Sequence, residues 1–154
     1  MKGESIGRYM KNFPTSQRGF SLIELLIVVA IIGIIAAIAV PYLERAKQAS
    51  NSASAVASMR TVNSSEAAYH SAKDQYGTLA ELGIANYIAD SNLSSGKKSS
   101  YTFSATPIDP LNYEAIADPV LDPANAYQHY FVDATGVMRV EVGATATAAS
   151  NAIQ

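Results

Sequence analysis

The sequence predicts an α+β chain in which one long N-terminal α-helix packs on a small antiparallel β-sheet. Three observations predict it. Every residue from Leu25 to Val40 is apolar, counting Gly33. The stretch from Glu44 to Tyr76 then holds neither proline nor glycine and is rich in alanine. Beyond it, short alternating runs are separated by Asp-Pro and Gly-containing turns. At 154 residues there is room for about one domain beyond the apolar segment.

The elements follow in order. Residues 1–19 are a basic leader, with Lys2, Arg8, Lys11 and Arg18 against Glu4. Cytoplasmic flanks of membrane helices favour Lys and Arg, so this segment is expected to stay inside while the rest is translocated. Phe20–Val40 is 21 residues, roughly 31 Å as a helix, which matches a bilayer core of about 30 Å. With Pro41 it forms the expected membrane segment, 20–41. Gly33 and Pro41 are its weak points: glycine costs about 1 kcal/mol in a helix, and proline removes a hydrogen bond. Pro41 reads equally as a plain kink where the helix leaves the bilayer.

Residues 42–77 continue the helix with one face in water. Tyr42 falls at interface depth. Val56, Met59, Val62, Tyr69 and Tyr76 recur at mostly helical spacing, with Ala55 and Ala72 widening the stripe. Gly77 supplies a stop, giving a helix from about Phe20 to Gln75, roughly 84 Å long. Thr78–Gly83 reads as a capped single turn, and Ile84–Ser100 as an irregular connection with a Ser/Gly/Lys turn at Ser94–Ser99. Strands are expected at Tyr101–Thr106, Asn112–Ala117, Gln128–Val132 and Val137–Val142, the last two joined by the Asp133–Gly136 turn. The sheet domain spans 78–142, and residues 143–154, mostly Ala, Thr and Ser, read as a mobile tail.

The charge in this greasy helix calls for a reason. Glu24 sits at the edge of the apolar run, where an acid costs up to about 3 kcal/mol, less near a helix end. It must find a cation or lie in the headgroups at the positive end of the helix dipole. Two processing schemes compete. Ala37-Ile38-Ala39 resembles a secretory cleavage site, which would release a soluble domain. Alternatively, the chain is cut between Gly19 and Phe20, ahead of the apolar run.

The stretch GFSLIELLIVVAIIGIIAAIAVP, Gly19 to Pro41, resembles the N-terminal signature of type IV pilins and their pseudopilin relatives in type II secretion, nearly residue for residue. Ser21 stands where many members have threonine. The resemblance implies that a prepilin peptidase cuts after Gly19 and methylates the new amino group of Phe20. It implies that Glu24, five positions into the processed chain, guides assembly. It further implies an inner-membrane assembly platform, a homo-oligomeric helical filament that includes related pilins, and a helix that stretches or melts between Gly33 and Pro41. Before assembly the chain would sit in inner-membrane lipid as a single-pass protein. Afterwards it would lie in an extracellular pilus or a periplasmic pseudopilus. In this reading the amine of Phe20 is the partner that Glu24 needs, four residues away on one helix face or on a neighbouring subunit.

Other classes are less well served. There is no cysteine, so zinc fingers, iron–sulfur sites and cysteine nucleophiles are excluded. Beyond residue 19, seven bases face twelve acids, a formal charge of −5. That balance argues against a nucleic-acid partner held through phosphates. Catalysis would need a base, nucleophile or metal, and His70 and His129 lack any ligand-like spacing, so no enzyme activity, metal site or cofactor is expected. Calcium is the one candidate ligand, through the loop acids Asp109, Asp118, Asp122 and Asp133. Three of these precede proline, however, and turn formation already explains them. The rival from a different class is a membrane-anchored binding protein that never polymerises.

Overall fold

The computed structural model describes residues 19–122 and 126–153; most of the expected leader therefore lies outside the described residues. The chain divides at Pro41/Tyr42 into two compact units. Helix α1 (Leu22–Lys73) contributes to both. Helices α2 (Leu79–Ile84) and α3 (Ser91–Ser94) and strands β1 (Lys97–Lys98), β2 (Tyr101–Asp109), β3 (Asn112–Pro119), β4 (Gln128–Asp133), β5 (Arg139–Val142) and β6 (Asn151–Ala152) complete the second unit. The six strands form one antiparallel sheet in sequence order, a meander.

In the second unit, α1 buries Ala55, Ser58, Met59, Val62, Ser65, Glu66 and Tyr69, a stripe at helical spacing. The opposing sheet face is set by strand alternation. Tyr101, Phe103 and Ala105 of β2 point inward, as do Tyr113, Ala115 and Ala117 of β3 and Tyr130 and Val132 of β4. Alanines in the middle of these strands leave room for the helix. The tyrosines bury their rings and satisfy their hydroxyls: Tyr113 Oη donates to Asn63 Oδ1 at 2.7 Å and Tyr101 Oη to the Gln128 carbonyl at 2.9 Å. Leu79 and Leu82 of α2, with Ile88 and Leu93, close the same core. Ala72, expected on the stripe, is exposed, because α1 ends one residue later.

Local chemistry explains the element ends. α1 stops where Asp74 takes φ 51°, and Gly77 lies against the Tyr69 ring, where a Cβ would come within 3.2 Å. The start of α2 is a capping box: Thr78 Oγ1 accepts the Glu81 N–H and Glu81 Oε2 accepts the Thr78 N–H. That carboxylate is held below its usual pKa by the Thr78 backbone and side-chain bonds.

Two expectations are corrected. The connection 84–100 is not irregular throughout. Asp90 caps α3 through the N–H groups of Asn92 and Leu93, pairs with Lys98 at 2.9 Å, and leads into β1. Residues 143–154 are not simply a tail. β6 pairs with β5, Ala146 and Ser150 are buried, and Arg139 Nη1 donates to the Ser150 carbonyl at 3.1 Å. The small, polar composition that suggested mobility instead supplies short side chains that bond locally, as Ser150 Oγ does with the Thr147 N–H at 3.0 Å.

Gly96 has little freedom to change. Its φ is +80°, and a Cβ would meet the Phe103 carbonyl oxygen at 2.9 Å. Gly96→Ala is expected to lower the unfolding free energy by about 1–2 kcal/mol, read as a reduced urea midpoint at unchanged slope.

Candidate functional site: the N-terminal segment and the head it carries

α1 begins at Leu22, with the Leu25 N–H bonded to the Ser21 carbonyl at 3.2 Å. Glu24 therefore lies in the first helical turn, where the unsatisfied N–H groups favour an anion. Phe20 precedes the helix. In this uncleaved chain the Phe20 nitrogen is a peptide nitrogen and carries no charge. Glu24 is exposed and has no ion partner among the described residues.

Every described side chain from Phe20 to Val40 is exposed. The helix is long and apolar enough to cross a membrane, and none of its most apolar stretch is buried in the protein. So large an apolar surface needs lipid or other copies around it. Nothing lies within 4 Å of a Cβ built at Gly33 or Gly19, so neither glycine is required by packing within the chain. Pro41 is accommodated inside α1, which leaves the Ala37 carbonyl without its helical donor.

The two histidines occupy separate structural roles. His70 stacks on Tyr76 with centroids 4.5 Å apart, and its Nε2 lies 3.0 Å from the Pro110 carbonyl, tying α1 to the β2–β3 turn. His129 Nδ1 is 2.6 Å from Asp118 Oδ1, and its Nε2 is 3.3 Å from Asp122 Oδ2. Both ring nitrogens therefore face carboxylate oxygens. Burial pushes the Asp122 carboxyl up, but the N–H groups of Tyr127 and Ala126 and the His129 ring outweigh it and hold it below the usual range.

The loop acids do not converge. Asp109 closes the β2–β3 turn through the Leu111 N–H and Asn112, and Asp133 closes the β4–β5 turn through the Thr135 N–H. Asp118 and Asp122 are engaged by His129. Among the described residues, no group of three or more His, Asp or Glu could hold a metal ion.

Sequence reasoning missed Glu66. It is fully buried on α1; Oε2 accepts the Gly77 N–H at 3.0 Å, and Oε1 has no partner among the described residues. Burial pushes its pKa up to about 7, against the pull of that N–H and with a further push from Glu81. Burial likewise raises the tyrosine hydroxyls, Tyr101 to about 12 with help from Tyr130, and Tyr113 further with help from Glu66. The signal for Glu66 was its register: it falls three and four residues from Tyr69 and Val62, inside the apolar stripe.

Known proteins bear on the N-terminal segment. Residues 14–40 match the family model described as the prokaryotic N-terminal methylation motif. The chain is similar to the type IV major pilin protein PilA of Myxococcus xanthus (strain DK1622), 40% identical over 77 residues. That match covers 49% of this chain and 35% of the relative. No solved structure matches the chain. The chain thus carries the N-terminal methylation motif on an exposed apolar helix, and it spans about a third of the length of the type IV major pilin to which it is similar.

Proposed function

We propose that the protein is the structural subunit of a surface type IV pilus. It is inserted in the inner membrane by its apolar helix, cut after Gly19, and methylated on the nitrogen of Phe20. It then moves into a helical filament in which the apolar helices exchange lipid for one another and the sheet units form the coat. The observation that carries this reading is the methylation motif over residues 14–40, joined to an apolar helix with no cover of its own. The likeness to a major pilin favours a pilus over a secretion pseudopilus.

Within it, cleavage converts the uncharged Phe20 nitrogen into an ammonium group, and Glu24 of an adjacent copy neutralises it. Pairing between copies sets their axial register, as a single buried polar group does in a coiled coil. The partners are the prepilin peptidase, the inner-membrane assembly platform, membrane lipid and further copies of the chain. The reading requires no cofactor, no nucleic acid and no catalysis by the chain itself.

Mass spectrometry of filaments sheared from the cell surface tests it. The expected subunit begins with N-methylated Phe20. A subunit beginning at Val40 would indicate ordinary secretion, and an intact N-terminus with no filaments would indicate a plain membrane anchor; either overturns the proposal.

A further inference from the structure

The second unit exposes apolar side chains at both ends of one β-hairpin. At the turn between β2 and β3, Ile108 is 58% and Leu111 71% exposed. This tip is held in shape by Asp109, whose Oδ1 accepts the Leu111 N–H at 2.8 Å and whose two oxygens accept from Asn112 Nδ2 at 3.1 and 2.9 Å. At the other end of the hairpin, the Val120 N–H donates to the Ser100 carbonyl at 2.9 Å. Val120 and Leu121 are 56% and 78% exposed there. They edge a groove of about 420 Å³ whose walls include Tyr101, Tyr127 and Lys47. β2 runs nine residues from Tyr101 at the groove to Asp109 at the tip, so the two features are about 27 Å apart.

One end projects and the other is concave, and their charges are opposed. The tip carries Asp109, and Glu114 and Asp133 pair in register just behind it. The groove end carries exposed Lys47 and Arg45 on α1, with Glu44 as the acid beside them. Asp122, nearby, is already engaged by His129. An isolated unit gains nothing by exposing four large aliphatic side chains at two separated places, whereas copies stacked in one direction bury all four.

We propose that the Ile108–Leu111 tip of one copy seats in the Val120–Leu121 groove of the next copy of this chain. The contact joins two different surfaces, so it does not close on itself and generates an open array. It adds a head-to-tail seam to the filament proposed above and rests on that reading for the common direction of the copies.

The absence of native cysteine makes the test direct. Filaments of the full chain carrying Leu111→Cys together with Leu121→Cys are oxidised and run without reductant. The expected result is a ladder of dimers, trimers and higher multimers, because each copy offers one tip and one groove. Leu111→Cys paired with Ala57→Cys, on an exposed part of α1, is expected to give no ladder.

A second measurement covers the case in which the cysteine pair disturbs assembly. Leu111→Ala and Leu121→Ala are each expected to reduce sheared filament yield roughly tenfold, as loss of an apolar anchor does, without moving the melting temperature. Filaments that form normally but give no ladder, or undiminished yield from both alanine variants, overturn the tip-in-groove contact and leave the filament reading standing. A wild-type chain that forms no filaments overturns both.

Discussion

Glu24→Ala is expected to leave membrane insertion and cleavage after Gly19 intact while cutting filament yield by at least about a hundredfold. The physical reason is a charge balance that only cleavage creates. Before processing, Glu24 sits at the N-terminal turn of α1 with no ion partner among the described residues, stabilised there by the helix dipole. In the proposed reading, processing would add an ammonium group at Phe20 of each chain. Leaving either charge unpaired in an apolar filament core costs several kcal/mol, and about 3 kcal/mol already exceeds a hundredfold in an equilibrium. Glu24→Gln separates charge from polarity: it keeps size and hydrogen bonding and loses the charge, and it is expected to fail nearly as badly as alanine. The measurement is sheared pilin by immunoblot beside membrane-fraction pilin, with the processed N-terminus checked by mass spectrometry. Normal filament yield from Glu24→Ala would remove the assembly role. Loss of processing in the same variant would move that role to the peptidase step.

The second large effect is on folding and is read against pH. Glu66 is buried, and burial raises its pKa from 4.5 to about 7. The folded state therefore holds a proton that the unfolded state has lost between those two values. Stability from this group is fully present below about pH 4.5, falls as pH rises towards 7, and levels off above it. The expected fall is about 3 kcal/mol. Glu66→Gln keeps the shape and cannot ionise. It is expected to match the wild type near pH 4.5, to be more stable at pH 8 by about 3 kcal/mol, and to lose the slope between.

Groups other than Glu66 titrate alike in both proteins, so the difference between the two profiles isolates this carboxyl. Glu81 has a lowered carboxyl pKa and acts below the window, while the Tyr113 hydroxyl is raised and acts far above it. Urea unfolding of both proteins at several pH values checks the difference. Parallel profiles would mean that Glu66 is ionised in the fold and paired in a way this geometry lacks.

Legibility in the sequence differed along the chain for identifiable reasons. The apolar segment was readable because composition alone defines it: sixteen consecutive residues from Leu25 to Val40 are apolar. The β2–β3 hairpin was readable from alternation, since Tyr101, Phe103 and Ala105 face one way and Thr102, Ser104 and Thr106 the other. The strands run further than expected, to Asp109 and Pro119, because pairing with a neighbour continues through residues whose own preference for strand is weak. The return of the chain as β6 was not legible. Its two residues acquire strand geometry only from hydrogen bonds to β5, and nothing in Asn151-Ala152 itself favours a strand.

The methylation motif over residues 14–40 was visible for the same reason as the apolar helix, because it is a run of neighbouring residues. What lies in the head was not. His129 meets Asp118 and Asp122 only once β3 and β4 are brought side by side in the sheet. The groove and the tip become a pair only once β2 sets them at opposite ends of one hairpin. Glu66 is the clearest division. Its register in the apolar stripe is written in the chain, yet its burial and raised pKa exist only because Tyr113 and the Gly77 turn close over it. By itself the sequence determined a membrane-length helix, a charge at its tip and a sheet of alternating strands, all properties of residues close along the chain. The tertiary structure alone decided which polar groups lose water and which apolar ones keep it, because desolvation depends on what comes from elsewhere in the chain to cover each group.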